Sequence, residues 1–221
     1  ACGMEYVDML KEAGVKLFHK VGAVRHAVHA EKVGYDGIYA AGIEEGGHPL
    51  DDDVSTMVLT PRIKEAVSIP VVTVGGIANG RTLAAALTLG ADAVMMASRF
   101  MATKECEIHD NIKQELVNRQ EQDTALICKS IHLQGRALRN ETVACVLEAE
   151  AKGGGLEEII PLISGERVQK AWETGDVSAA PMMVGQSIGL IHSIPTCAEL
   201  LKDMMQEAVA CINSVQGNIG E

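Results

Sequence analysis

Aromatic residues are scarce, with one Trp, three Tyr and two Phe in 221 residues. That excludes the base-stacking platforms of single-strand nucleic-acid binders and the aromatic cages that hold quaternary ammonium groups. Basic residues are outnumbered, 19 Lys and Arg against 30 Asp and Glu, for a formal net charge of −11. A chain of this sign lacks the basic face that nucleic acid requires, so no nucleic-acid partner is expected. No apolar run approaches the ~20 residues of a membrane span, so no membrane partner is expected either. The six cysteines, at positions 2, 106, 128, 145, 197 and 211, form no CxxC and no Cys/His spacing typical of zinc. No metal is expected. The thiols suit a reducing compartment and no signal peptide is visible, so a cytoplasmic location is expected. Gly-x-Ser-x-Gly is absent, and no Ser or Cys stands out as a nucleophile.

What is present is a 47% hydrophobic, 22% charged composition with 22 glycines, enough for one ordinary core or one domain with a small appendage. The first half repeats one pattern: a β-type run, a loop, then a helical run. Val15–Val21, Tyr35–Ala41, Ile69–Val74 and Ala91–Ala97 read as strands. The third is almost wholly apolar, as suits a strand buried on both faces of a parallel sheet. Helices are expected over residues 6–13, 23–33, 61–67, 80–89 and 103–120. Gly14, Gly34 and Gly90 each follow a helical run, where a left-handed residue is needed. Alternation of this kind implies parallel βαβ units, four of them. Residues 121–180 change character and read as a small, mostly helical cap. Thr196-Cys197-Ala198-Glu199 has the form of a capping box and opens a final amphipathic helix. The expected domains are a βα portion over 1–120, a cap over 121–185 and a returning segment with helix over 186–221.

Three constellations carry chemistry. In the first, the strand Pro70–Val74 ends in Gly75-Gly76 and runs into a helix. Glycine backbone there can approach a phosphate closely, beside a helix N-terminus. The next strand ends in Ala97-Ser98, and two adjacent strand ends could share one phosphate, a recurrent arrangement in (β/α)8 barrels. GxGxxG is absent from this segment. In the second, Gly46-Gly47-His48-Pro49 follows the second strand, where a flexible backbone can press on a flat ligand while His48 exchanges a proton. Asp51-Asp52-Asp53 reads as a solvated loop or helix cap rather than a metal site. In the third, Lys20 closes the first strand and points a cation into the same mouth, whereas His26 and His29 read as surface or packing residues.

At these residues the sequence resembles the FMN-dependent nitronate monooxygenase (2-nitropropane dioxygenase) family, which also holds flavin enoyl reductases and NAD(P)H:quinone reductases. The stretches that carry the resemblance are HKVGAVRHAVHAEKVGYDGI, EEGGHPLDDDV, PVVTVGGIANGRTLAAALTLGADAVMMASRF, ATKECEIHDNIK and GQSIGLI. The resemblance implies an α/β fold, a (β/α)8 TIM barrel with a covering cap. It implies that Gly75, Gly76, Ala97 and Ser98 hold the FMN phosphate. It places Lys20 and Gly46 beside the isoalloxazine or ribityl part, with Gly47 in the same loop, and it matches His48 to the catalytic histidine. It implies a small-molecule substrate: a nitronate oxidised with O2, or a quinone reduced at the expense of NAD(P)H. Two positions depart from the pattern. Ala97-Ser98 stands where Gly-Thr is usual, and Leu50 where Gly is common.

A whole barrel is typically ~250 residues, and only its C-terminal half, four βα units, is found. The sequence is therefore expected to be a fragment of a longer chain, or to pair as a homodimer that closes the barrel. Two further readings stand beside the flavoenzyme: a non-catalytic phosphate-binding half barrel, and a barrel that binds a sugar phosphate.

Overall fold

In the computed structural model residues 6–219 are described, so Cys2 and the first helix's expected start lie at or beyond that limit. Four parallel strands, β1 (Phe18–Val21), β2 (Gly37–Ala41), β3 (Val71–Val74) and β4 (Ala93–Met95), pair in chain order. Helices α1 (Val7–Glu12), α2 (Val24–Val33), α3 (Thr56–Lys64) and α4 (Gly80–Thr88) alternate with them. This is the sequential order of consecutive units in a (β/α)8 barrel. Gly14, Gly34 and Gly90 are all left-handed, with φ of 76°, 103° and 96°.

Asp36 and Asp92 act as a repeated device. Each carboxylate accepts the N–H that opens the neighbouring strand run: Leu17 N–H donates to Asp36 at 2.9 Å and Val71 N–H to Asp92 at 2.8 Å. Each also pairs with a lysine, Lys16 and Lys64 respectively. Backbone donation from Leu17, with Lys16 beside it, holds the Asp36 carboxyl below the usual range. Lys64 and then the Val71 N–H do the same for Asp92.

The two faces of the sheet differ. One face buries Ile38, Ala40 and Val71 against Leu59, Ile63 and Val67. On the other, Lys20, Tyr39, Val72 and Ala93 lie in one row across the four strands. Lys20 and Ala93 are exposed, Tyr39 and Val72 half-buried. A closed barrel turns this second face inward.

Three expected elements differ from those observed. The helix expected from Pro61 begins five residues earlier, at Thr56, because Glu44 accepts the Thr56 N–H and caps the helix across the loop. Pro61 lies inside α3 past its first turn, so the Met57 carbonyl receives no i+4 backbone donor there. The helix expected over 103–120 is shorter, α6 (Asp110–Asn118), because the His109 ring accepts the Asn111 N–H and starts it there, and a separate short helix, α5 (Ser98–Met101), follows β4 before it. The cap contains α7 (Glu141–Ala151), α8 (Leu156–Ile159), a 3-10 turn and α9 (Gly165–Thr174), and also an unforeseen antiparallel hairpin, β5 (Thr124–Ile127) with β6 (Gly135–Leu138). Leu138, Met182, Val184, Ile188 and Ile191 join the cap to Ile112 and Leu116 of α6 in one buried cluster.

The last helix, α10 (Cys197–Ile219), is capped as its sequence implies. Thr196 N–H donates to Glu199 and the Glu199 N–H to the Thr196 hydroxyl. Leu200, Met204 and Ala208 pack on Leu83 and Ala84 of α4. Gly80 makes this contact possible, since a Cβ there would come within 2.5 Å of the Met204 carbonyl oxygen and 2.6 Å of the Ala208 nitrogen. Gly80→Ala should therefore lower stability by about 1–3 kcal/mol through overpacking, read as an earlier urea midpoint at unchanged slope.

Candidate active site

The carboxyl ends of all four parallel strands open onto one cleft of about 260 Å³. Lys20 comes from β1, Tyr39 from β2, Gly75 and Gly76 from the turn after β3, and Ala97 and Ser98 from the turn after β4. Glu45 and Gly46 of the loop after β2, with Gly185 and Ser187, complete its walls. Six residues singled out by sequence thus meet in one place: Lys20, Gly46, Gly75, Gly76, Ala97 and Ser98.

The loop after β2 is held from several directions. Ile43 N–H donates to Val54, Gln186 N–H donates to the Glu44 carbonyl, and the guanidinium of buried Arg136 donates to the Ile43 carbonyl. Gly46 and Gly185 cross with no room for a side chain on either. A Cβ on Gly46 would lie 2.4 Å from the Val184 carbonyl carbon, and one on Gly185 would lie 2.6 Å from the Glu44 oxygen. The Gly185 N–H donates to the Ser98 hydroxyl at 3.0 Å, so the cap strap and the turn after β4 are locked together. The Ser98 proton remains available for a ligand, because that hydroxyl serves Gly185 as acceptor only.

Gly75 and Gly76 are left-handed, with φ of 99° and 76°. A Cβ on Gly76 would meet nothing within 4 Å, so that edge faces open cleft. The expected helix N-terminus is not free for a phosphate, however. The Gly80 N–H donates to the Glu207 carboxylate at 2.8 Å, and Asn79 accepts the Thr82 N–H.

His48 and Gly47 do not line the cleft. Gly47 exchanges backbone hydrogen bonds with Arg136 of the hairpin, and His48 is exposed at the rim. The His48 Nδ1 lies 3.0 Å from the Gln134 carbonyl oxygen. A carbonyl only accepts, so Nδ1 carries the proton in the neutral ring and Nε2 keeps a free lone pair. The Gln134 amide also donates to the carbonyls of Pro49 and Leu50, and the hairpin turn thereby fixes the whole His48 loop.

Lys20 donates to the His48 carbonyl at 2.7 Å and pairs with Glu45 at 2.5 Å. Glu45 is only 5% exposed. Burial pushes its carboxyl up, with Lys20 opposing. Sequence reasoning passed over Glu45, Gln134 and Arg136. The doubled Glu before Gly46 was the one signal available; the other two act from the cap, far along the chain. A second open cleft borders the first, with His19, Arg25, His26 and His29 on one wall and Asp51 and Asp52 on the other. Arg25 pairs with Asp52 at 3.0 Å. Among the described residues no group of His, Cys, Asp and Glu is arranged to hold a metal ion, and no helix is long and apolar enough to cross a membrane.

Comparison with known proteins places this geometry. The family model described as nitronate monooxygenase matches residues 3–207. The chain belongs to the nitronate monooxygenase family. That family is one of oxidoreductases. Its relatives include a "(3aS,4S,5R,7aS)-5-hydroxy-7a-methyl-1-oxo-octahydro-1H-indene-4-carboxyl-CoA dehydrogenase" of Rhodococcus jostii, 30% identical over 96% of this chain and 69% of that protein. A probable nitronate monooxygenase of Staphylococcus aureus is 35% identical over 86% of this chain and 55% of its own length. The chain therefore spans little more than half of the latter. FabK from Thermotoga maritima superposes with a TM-score of 0.89 and 32% identity, covering 99% of this chain and 68% of that one. The TIM-barrel architecture of this family is thus shared by the four βα units described above.

The His48 arrangement has a direct check. Nitrogen-15 spectra of the imidazole at a pH where the ring is neutral should show Nδ1 protonated. Gln134→Pro, which disturbs the turn that supplies the carbonyl, should shift the ring towards a mixture of tautomers; a His48 ring already mixed in the wild type would dissolve the assignment.

Proposed function

We propose that the protein binds FMN in this cleft and works as a flavin-dependent oxidoreductase that oxidises alkyl nitronates with O2. The observation that carries the reading is the convergence of Lys20, Gly46, Gly75, Gly76, Ala97 and Ser98, from four strand ends, on one cleft. The residues fit the cofactor on physical grounds. Gly76 presents a bare left-handed backbone to open space, and the Ser98 hydroxyl keeps a proton to donate. These, with Gly75 and Ala97, would hold the phosphate, and Lys20 and Gly46 the ring or ribityl part. FMN, when bound, supplies the electron-accepting ring, and O2 takes up the electrons that complete the oxidation.

The chain's own residues do the rest. His48, with Nδ1 tied to Gln134, keeps Nε2 free to accept or return a proton at the rim during turnover. The strap with Gly185 and Ser187 walls one side of the cleft. One observation speaks for a second reading, the reduction of a quinone by NAD(P)H: the buried carboxylate of Glu45 suits an uncharged acceptor better than an anion.

The test is an absorption spectrum after loading with FMN. A flavin spectrum is expected, and the Gly76→Val variant, whose side chain would fill the open cleft and strain the left-handed backbone, should lose the flavin along with about 1–2 kcal/mol of stability. His48→Ala should keep the flavin and lose about 10²-fold or more in turnover with a nitronate and O2. Anaerobic NADH that bleaches the flavin would favour quinone reduction, and a wild-type protein that stays colourless would favour a non-catalytic phosphate-binding unit.

A further inference from the structure

Arg99 follows Ser98 directly in the turn after β4 and is only 3% exposed. Its guanidinium donates to the carbonyls of Ala102 and Ser193, both at 2.7 Å, and its Nε is enclosed with no acceptor. Among the described residues no carboxylate pairs with it. Desolvation alone lowers its ionisation, whereas Arg136, also buried, has Glu44 and Asp53 near enough to oppose that shift. Arginine keeps its proton at neutral pH, so a full positive charge is buried here with only uncharged oxygens to offset the cost. A charge left in that state invites a functional explanation.

The adjoining end of the cleft lacks a positive charge of its own. Gly75, Gly76, Ala97, Ser98 and Gly185 line it, and none is charged. Among the described residues lining the cleft the one cation is Lys20, on β1, two to three strands away at about 4.8 Å per strand and paired with Glu45. The Gly80 N–H at the start of α4 is taken by the Glu207 carboxylate, which adds negative charge there. Bare backbone and one hydroxyl offer hydrogen bonds but no net charge to a phosphate monoester, which carries roughly −1.5 to −2 at neutral pH. We propose that Arg99 is the counter-charge for that phosphate: from behind Ser98 it stabilises a phosphate monoester held at Gly75, Gly76, Ala97 and Ser98, without touching it. The proposal rests on the reading of this end of the cleft as the FMN phosphate site. Its enclosed Nε meets no ligand, and the charge acts through protein, where water screens it little.

FMN and riboflavin make the test, since they differ only in the phosphate. Each is titrated by flavin fluorescence into the flavin-free wild type, Arg99→Met, Arg99→Lys and Ser193→Asp, all first checked for folding by far-ultraviolet circular dichroism. The wild type should bind FMN more tightly than riboflavin. Arg99→Met keeps the bulk and removes the charge; it should cut that preference about tenfold, through FMN, with riboflavin nearly unchanged. Arg99→Lys keeps the charge and should keep most of the preference, which a loss of packing alone would not explain. Ser193→Asp leaves Arg99 in place and adds a carboxylate at an exposed residue whose carbonyl the guanidinium already bonds. It should cut the preference about threefold, and it decides the matter if Arg99→Met does not fold. A wild type with no preference for FMN, an unchanged preference in the deciding variant, or equal weakening of both flavins in it would overturn the proposal. A wild type that takes up no FMN overturns the flavin reading alone. Inorganic phosphate, titrated calorimetrically into the same flavin-free proteins, then judges Arg99: weaker phosphate binding in the deciding variant upholds it, and equal or absent binding overturns it.

Discussion

The close backbone crossing at Gly46 and Gly185 is the constraint on which the site depends. Two loops from distant parts of the chain pass with no side chain between them. The crossing brings the loop after β2 against the strap that follows the cap, and the strap's Gly185 N–H then reaches the Ser98 hydroxyl after β4. Two strand ends, those of β2 and β4, are thereby tied together through the strap, outside any regular ladder. A side chain at either glycine would separate the strap from the loop, and with it the cleft's roof from its floor. The hairpin adds a second tie, because Arg136 exchanges backbone bonds with Gly47 and its buried guanidinium donates to Ile43 and Thr124. Burying that cation without a carboxylate partner holds its ionisation below the ordinary range through desolvation, and hydrogen bonds to uncharged oxygens partly offset the cost.

Much of the scaffold was legible because its signals are local. The strand runs, the left-handed glycines at positions 14, 34 and 90, and the Thr196–Glu199 capping box each need only a few adjacent residues. The glycine turns at 75–76 and the Ala97-Ser98 strand end were visible for the same reason, and they do meet in one cleft. What stayed hidden is made by partners far apart in the chain. The start of α3 is set by Glu44, twelve residues before Thr56, and the hairpin was masked by short runs that read equally well as helix. The expected anion site at the start of α4 was a local inference defeated by a remote residue: Glu207, on α10, fills it. His48 was found for its glycines, yet its ring is oriented by Gln134, and no spacing rule connects positions 86 residues apart.

The scaffold and the cleft also sit on opposite sides of a proton balance. Asp36 and Asp92 each gain backbone and lysine partners on folding, so their carboxyls are lowered from the ordinary value. By linkage the stability they contribute is present above the unfolded carboxylate range and is lost as pH falls through the lowered folded value. Asp92 is exposed and Asp36 half-buried, so each effect is screened by solvent. Glu45 runs the other way. Its carboxyl is raised by burial, so the folded state favours its protonated form, and that advantage is lost as pH rises through the raised value. At neutral pH the carboxylates of the sheet edges therefore favour the fold, while the one in the cleft opposes it and is tolerated through Lys20. A local conflict of this kind, in a fold whose other carboxylates are well placed, is where a functional constraint is expected to show. Lys20 stands at the join: its ammonium holds the His48 loop through a backbone carbonyl and neutralises Glu45 with the same three protons. Any ligand that draws Lys20 away must supply both services.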